Sequence, residues 1–99
     1  MSYKQDKREY QQALKTYNGR CAMCGNRNVE LHHIVYRSHS GKNVKENLIP
    51  LCKQHHMLVH TNEQYYVEYL LDLNRAHYGC IERKDLIKRN KWAVAFEER

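Results

Sequence analysis

The sequence predicts a small α+β fold: a two-stranded hairpin followed by a short helix, stapled by a zinc knuckle and flanked by N- and C-terminal helices. Three observations carry this prediction. Residues 29–36 and 48–52 are short, apolar or β-branched stretches separated by a polar loop, the pattern of a hairpin. Cys21-x-x-Cys24 and Cys52-x-x-His55 are two ligand pairs placed around that hairpin. Amphipathic helical spacing appears on both sides of this core.

The elements follow in order. Tyr10, Leu14 and Tyr17 recur at helical spacing among charged neighbours, so a helix is expected over residues 4–17, ending before Asn18-Gly19. "CAMCGNRN" is too rich in Gly and Asn for regular structure and reads as a tight turn around an ion. "VELHHIVY", residues 29–36, reads as the first strand, "RSHSGKNVKEN" as a loop, and "LIPLC" as the second strand, with Pro50 confining it to an edge or an end. The chain is expected to turn helical from Cys52 to about His60. Thr61 and Gln64 form a capping-box pattern for a further helix with Val67, Leu70 and Leu71 on one face and Gly79 as its stop. A last helical stretch is expected from Ile81 to Phe96, so that C-terminal helices fill residues 62–98. No repeat, low-complexity tract or linker interrupts the chain, and residues 1–99 read as one domain with its zinc and hairpin core at 21–60.

Composition narrows the function. The 99 residues carry 17 Lys+Arg against 11 Asp+Glu, a formal charge of +6, which favours a polyanionic partner. A core of this size is marginal, so a metal staple is plausible. No apolar run approaches the roughly 20 residues of a membrane span. The polar start "MSYKQDKREY" argues against a usual secretory signal, and the cytoplasm is the expected compartment. In a reducing compartment the C-x-x-C pair favours metal over disulfides. Cys80 has no partner at ligand spacing and is expected to pack as a small apolar residue near a helix boundary.

Structural zinc takes four ligands, commonly as two pairs, so Cys21, Cys24, Cys52 and His55 form the expected set. At about 100° per residue, His56 and His60 share one helical face while His55 is rotated away, so these two need a different partner. His55 and His56 are neighbours, and an exchange of their roles is the alternative at this point. His32 and His33 can supply a third ligand and a free imidazole. Adjacent strand residues point to opposite faces, so the two are expected to differ in role.

The run "LHHIVYRSHSGKNVKENLIPLCKQHHMLVH", residues 31–60, resembles the HNH endonucleases of phage and mobile-element type, whose core is a zinc-stapled ββα-metal hairpin and helix. The resemblance extends from Cys21 to His60 and rests on His-His, Asn-Leu, Leu-Cys and His-x-x-x-His occurring in that order. Many relatives have a second C-x-x-C followed by histidine; here His55 stands where the last cysteine would be. Carried onto matching positions, the resemblance implies His33 as general base, Asn47 as the motif's Asn, and His32, His56 and His60 as ligands of a divalent ion. It implies DNA as substrate, and a homodimer or a phage terminase or recombination partner as a source of targeting in a bacterial host.

The chemistry fits those roles. Phosphodiester hydrolysis needs an activated water, a Lewis acid and help for the leaving oxygen. A neutral imidazole can take the proton of water, and three imidazoles leave coordination positions open. Zn, Ni, Co or Mn suit such a ligand set better than Mg, although relatives are often used with Mg or Mn, so Mg2+, Mn2+, Ni2+ and Zn2+ all stay open. Asn47 cannot titrate near neutral pH, and its role must be geometric. Arg37, Lys42, Lys88 and Arg89 are the expected phosphate contacts, within a basic stretch that includes Arg83, Lys84 and Lys91. His39 is expected to be a neutral loop residue, His77 to interact with a helix end, and Tyr65, Tyr66 and Tyr69 to pack or line a helix surface. The expected function is a metal-dependent DNA endonuclease; a non-catalytic zinc-stapled nucleic-acid-binding module, or an accessory subunit of a packaging or recombination machine, is the alternative.

Overall fold

A computed structural model describes residues 3–88. Its order is helix α1 (Tyr3–Thr16), strand β1 (Val29–His33), strand β2 (Leu48–Cys52), helix α2 (Lys53–Thr61) and helix α3 (Glu63–Tyr78), with single 3-10 turns at Arg37–His39, Lys45–Asn47 and Arg83–Leu86. β1 and β2 pair antiparallel with His33 opposite Leu48 and Val29 opposite Cys52. This hairpin and the helix that follows it directly form an α+β fold of the ββα-metal type, as the sequence predicts. No helix of the described residues is long and apolar enough to cross a membrane.

Local sequence explains the boundaries. α1 ends where Asn18 and Gly19 adopt positive φ, and the Gly19 N–H donates back to Leu14 at 2.8 Å, the usual way of satisfying a terminal carbonyl. All five residues of β2 are buried, which its unbroken apolar run requires. Ile34, Leu48, Ile49, Leu51, Leu70 and Leu71 are almost wholly excluded from solvent and form the centre of the core between hairpin and helices. Asn74 is the polar tie within it. Its amide nitrogen donates to the carbonyls of Glu46 and Leu48, and its oxygen accepts from Tyr17 at 2.6 Å, so α3 is joined to β2 and to the end of α1. Burial, with Tyr78 beside it, raises the Tyr17 hydroxyl well above its ordinary range and keeps it a donor.

Four expectations need correction. β1 stops at His33 rather than Tyr36, because the Asn47 side chain takes both backbone groups of Val35: the Val35 N–H donates to Oδ1 at 2.8 Å and Nδ2 donates to the Val35 carbonyl at 3.1 Å. An amide thus replaces the next rung of the ladder. The cap of α3 is Asn62, not Thr61; Thr61 still belongs to α2 and donates to the Leu58 carbonyl. Over residues 81–88 the chain is not a long helix. After Gly79 (φ 86°) it forms one 3-10 turn capped reciprocally by Glu82 and Asp85, and then pairs with the loop between the strands. Cys80 is exposed rather than packed, at the rim of a cavity of about 320 Å³ that Lys42 and Tyr78 also line. The remainder of the expected helix to Phe96 lies outside the described residues.

That pairing has a steric requirement. Gly41 forms a bridge with Ile87, while the Lys42 N–H donates to Leu86 and the Lys88 N–H to Ser40, at 2.8 and 2.7 Å. Gly41 is so close to the turn after β1 that a Cβ there would meet the Val35 carbonyl oxygen at 1.9 Å. Both partners are backbone, so neither can yield by rotating a side chain. Gly41→Ala is therefore expected to cost at least about 1–3 kcal/mol, read as a shift of the denaturant midpoint at constant slope.

Candidate metal and catalytic centre

Two ligand clusters stand on either side of α2. In the first, Cys21, Cys24, Cys52 and His55 place their ligand atoms within 4.8 Å of one another. Cys24 Sγ lies 3.7 Å from Cys52 Sγ, and His55 Nδ1 lies 3.7 Å from Cys21 Sγ and 3.2 Å from Cys52 Sγ. A tetrahedron built on zinc–sulfur bonds of about 2.3 Å and zinc–nitrogen bonds of about 2.0 Å has edges of roughly 3.5–3.8 Å, close to these separations. The scaffold explains the convergence. β2 runs into α2 without a loop, so Cys52 caps the helix and His55 sits in its first turn. The Ala22 N–H donates to the Pro50 carbonyl and Gly25 turns at φ 80°, which seats the Cys21–Cys24 turn against the end of β2.

The thiol chemistry agrees with that geometry. Burial raises the Cys21 thiol, but backbone N–H groups of Cys52, Met23 and Cys24 outweigh it and bring it down to about 7. The Met23 N–H reaches its sulfur at 3.4 Å. A site that stabilises thiolate is one suited to a divalent cation. The cluster could hold a structural zinc.

In the second cluster, His32, His56 and His60 bring their ring nitrogens within 4.8 Å of one another. Ring centroids are 4.9 Å apart for His56 and His60, 5.1 Å for His32 and His56, and 5.6 Å for His32 and His60. His32 comes from the face of β1 turned to α2, and the other two from one face of α2. Burial, followed by the charges of His56, His60 and His33, pushes His32 down to about 3, so it is a neutral imidazole with a lone pair to offer at any ordinary pH. His55 lies with the cysteines and His56 with the histidines.

Three residues that the sequence reading did not single out hold the imidazoles in place. Glu30 Oε1 lies 3.0 Å from His56 Nδ1, and the Tyr36 hydroxyl lies 2.8 Å from His60 Nδ1. Donation from Nδ1 in each pair leaves Nε2 of both rings as the free lone pair, the arrangement of a ligating histidine with an outer hydrogen bond. Burial and the neighbouring Glu63 push Tyr36 up to about 12, so it remains protonated. Asn43, buried in the loop, places Oδ1 at 2.7 Å from His33 Nε2. Glu30 had a signal: it stands two residues before His32 and therefore on the same strand face. Nothing local marked Tyr36 or Asn43.

His33 points to the other face of β1. Burial lowers its pKa, partly opposed by the hydrogen bond with Asn43, and the charges of Arg37 and Lys88 lower it further, so His33 is neutral at pH 7. Two of the expected phosphate contacts thus bear on His33, and Lys88 is there because of the pairing with the loop. Lys42 lines the cavity beside Cys80. Arg89 lies outside the described residues. His39 is exposed and stacks on Tyr36 at 5.9 Å, His77 is edge-on to Tyr17 at 4.7 Å, and Tyr65 and Tyr69 are exposed on α3 while Tyr66 packs against the core.

Asn47 is completely buried, and its side chain binds the Val35 N–H, the Val35 carbonyl and the Lys42 carbonyl. It joins the end of β1 to the loop, with both amide hydrogens committed to backbone carbonyls and the side chain wholly excluded from solvent. Asn47→Ala would strand these backbone groups and is expected to cost about 2–4 kcal/mol, while Asn47→Asp would set a carboxylate against two carbonyls and cost no less. Thermal melting of the two variants measures this.

Residues 21–62, which contain both clusters, His33, Asn43 and Asn47, match the family model for HNH endonuclease. The match spans less than half of the chain and likens this segment to HNH domains. Comparison with curated proteins and with solved structures returned no match. HNH domains are usually nucleases that use divalent metals, which suggests a nuclease or nucleic-acid-binding function.

Proposed function

We propose that the protein is a metal-dependent DNA endonuclease that hydrolyses phosphodiester bonds, with a structural zinc on Cys21, Cys24, Cys52 and His55. The observation that carries this reading is the convergence of three histidines on one side of the hairpin with a separate, neutral histidine on the strand face opposite His32. His32, His56 and His60 would hold a divalent ion, which would supply Lewis-acid stabilisation of the charge that develops on the phosphate and the departing oxygen. His33 takes the proton from the attacking water. Arg37 and Lys88 draw the phosphate backbone towards His33, a contribution that weakens as salt is raised. Asn47 acts by holding the loop, and Glu30 and Tyr36 by orienting His56 and His60.

The test is a supercoiled plasmid incubated with purified protein and Mg, Mn, Ni, Co or Zn in turn. Conversion to nicked or linear DNA with at least one ion, abolished by chelation, is the expected result. DNA binding without cleavage under all these ions would overturn the endonuclease reading in favour of a binding module.

A further inference from the structure

We propose that Asn43 is a positioning residue for the reaction: its side-chain oxygen accepts the Nε2–H of His33, fixing the ring so that the bare Nδ1 faces the water to be activated. This rests on the reading of His33 as the base.

The placement of Asn43 is over-determined by the backbone around it. The Lys42 N–H is held by the Leu86 carbonyl and the Lys42 carbonyl by Asn47 Nδ2, at 2.8 and 2.9 Å, so the peptide leading into Asn43 is pinned from both sides. Gly41 allows that peptide to lie against Val35 and Tyr36. Asn43 is 7% exposed and reaches His33 Nε2 at 2.7 Å. Among the described residues, no other side chain hydrogen-bonds the His33 ring. An imidazole with one nitrogen engaged presents the other in a defined tautomer and direction, which a base requires before its basicity matters.

An amide differs from a carboxylate in this position. It accepts a hydrogen bond from Nε2 but cannot take the proton over. The proton taken from water therefore stays on Nδ1 while Nε2 keeps its own, and it leaves later from Nδ1 to solvent. The water oxygen bonds to phosphorus as the bond to the 3′ oxygen breaks, and the 3′ oxygen takes a proton from solvent water to leave as a hydroxyl. Asn47 reaches the chemistry only through this route, by fixing the Lys42 carbonyl that precedes Asn43.

The experiment uses the full chain and combines plasmid cleavage in manganese with long-range proton–nitrogen NMR of the zinc-loaded protein. Wild type is expected to show His33 protonated at Nε2 with a bare Nδ1. Asn43→Leu is expected to lower kcat about 10- to 100-fold at little changed KM and to blur that tautomer, whereas Asn43→Asp, which keeps the acceptor, retains both the tautomer and most of the rate. A wild-type His33 protonated at Nδ1 would overturn the proposal, and so would full activity in Asn43→Leu alongside an inactive His33→Ala. If Asn43→Leu fails to fold, the wild-type tautomer and the Asn43→Asp rate decide. An active His33→Ala would instead remove the base reading itself.

Discussion

Replacing Cys21 or Cys52 by serine, or stripping zinc with a chelator, is expected to cost the protein its cooperative fold. Residues between α1 and β1 have no regular structure, and what joins them to the hairpin is the Ala22 N–H to Pro50 hydrogen bond, the packing of Ala22 and Met23 against the core, and the cluster of Cys21, Cys24, Cys52 and His55. Zinc contributes about 10–16 kcal/mol in isolated finger peptides, comparable with the entire stability of roughly 5–15 kcal/mol that a natural domain possesses. Without the ion, three thiols and an imidazole converge with no charge to offset their repulsion once ionised. The expected readings are one tightly held zinc per chain that is lost in Cys52→Ser, and a melting transition that broadens or disappears. Unchanged melting of metal-stripped protein would exclude a structural zinc here. A serine at the exposed Cys80 should leave both readings as they are.

His33→Ala carries the second large effect, on rate rather than on stability. His33 is half-buried at the end of β1 and makes a single side-chain hydrogen bond, so its truncation should leave the fold intact. Loss of a general base typically costs about 10²–10⁴ in rate. The plasmid assay under saturating ion should fall by that factor while metal affinity, read by calorimetry, stays put. His60→Ala should give the converse, a loss of affinity for the ion with the His33 ring undisturbed. Equal loss of affinity in both variants would mean that His33 is a ligand and not a base.

How much of this was legible in the sequence depended on the range of the interaction. The convergence of Cys21, Cys24, Cys52 and His55 could be read because each pair can turn both side chains to one point within a single turn. The pair His56 and His60 could be read because helical spacing fixes its face. Strand alternation separated His32 from His33 for the same reason. Asn43 and Tyr36 were not legible: their partners are created by a loop folding back onto β1, and no periodicity in "RSHSGKNVKEN" marks which polar residue turns inwards. The stretch after Gly79 failed differently. Ile81, Leu86 and Ile87 carry apolar positions that a helix could use, but the loop offered their backbone other partners, and a pairing between Gly41 and Ile87 has no local signature.

That pairing also orders events during folding. The contacts that assemble the two ligand clusters lie within residues 21–60, between elements near in sequence, and they can form early. The loop bearing Asn43 is closed by Leu86 and Lys88, far downstream, and the entropy of closing so long a stretch is recovered only after the core exists. His32, His56 and His60 therefore come together before the loop beside His33 is locked. Chains that end short of Ile87 would carry an assembled three-histidine cluster beside an untethered His33 loop, and a hydrogen-exchange pulse should find the amides of Lys42 and Lys88 among the last to be protected.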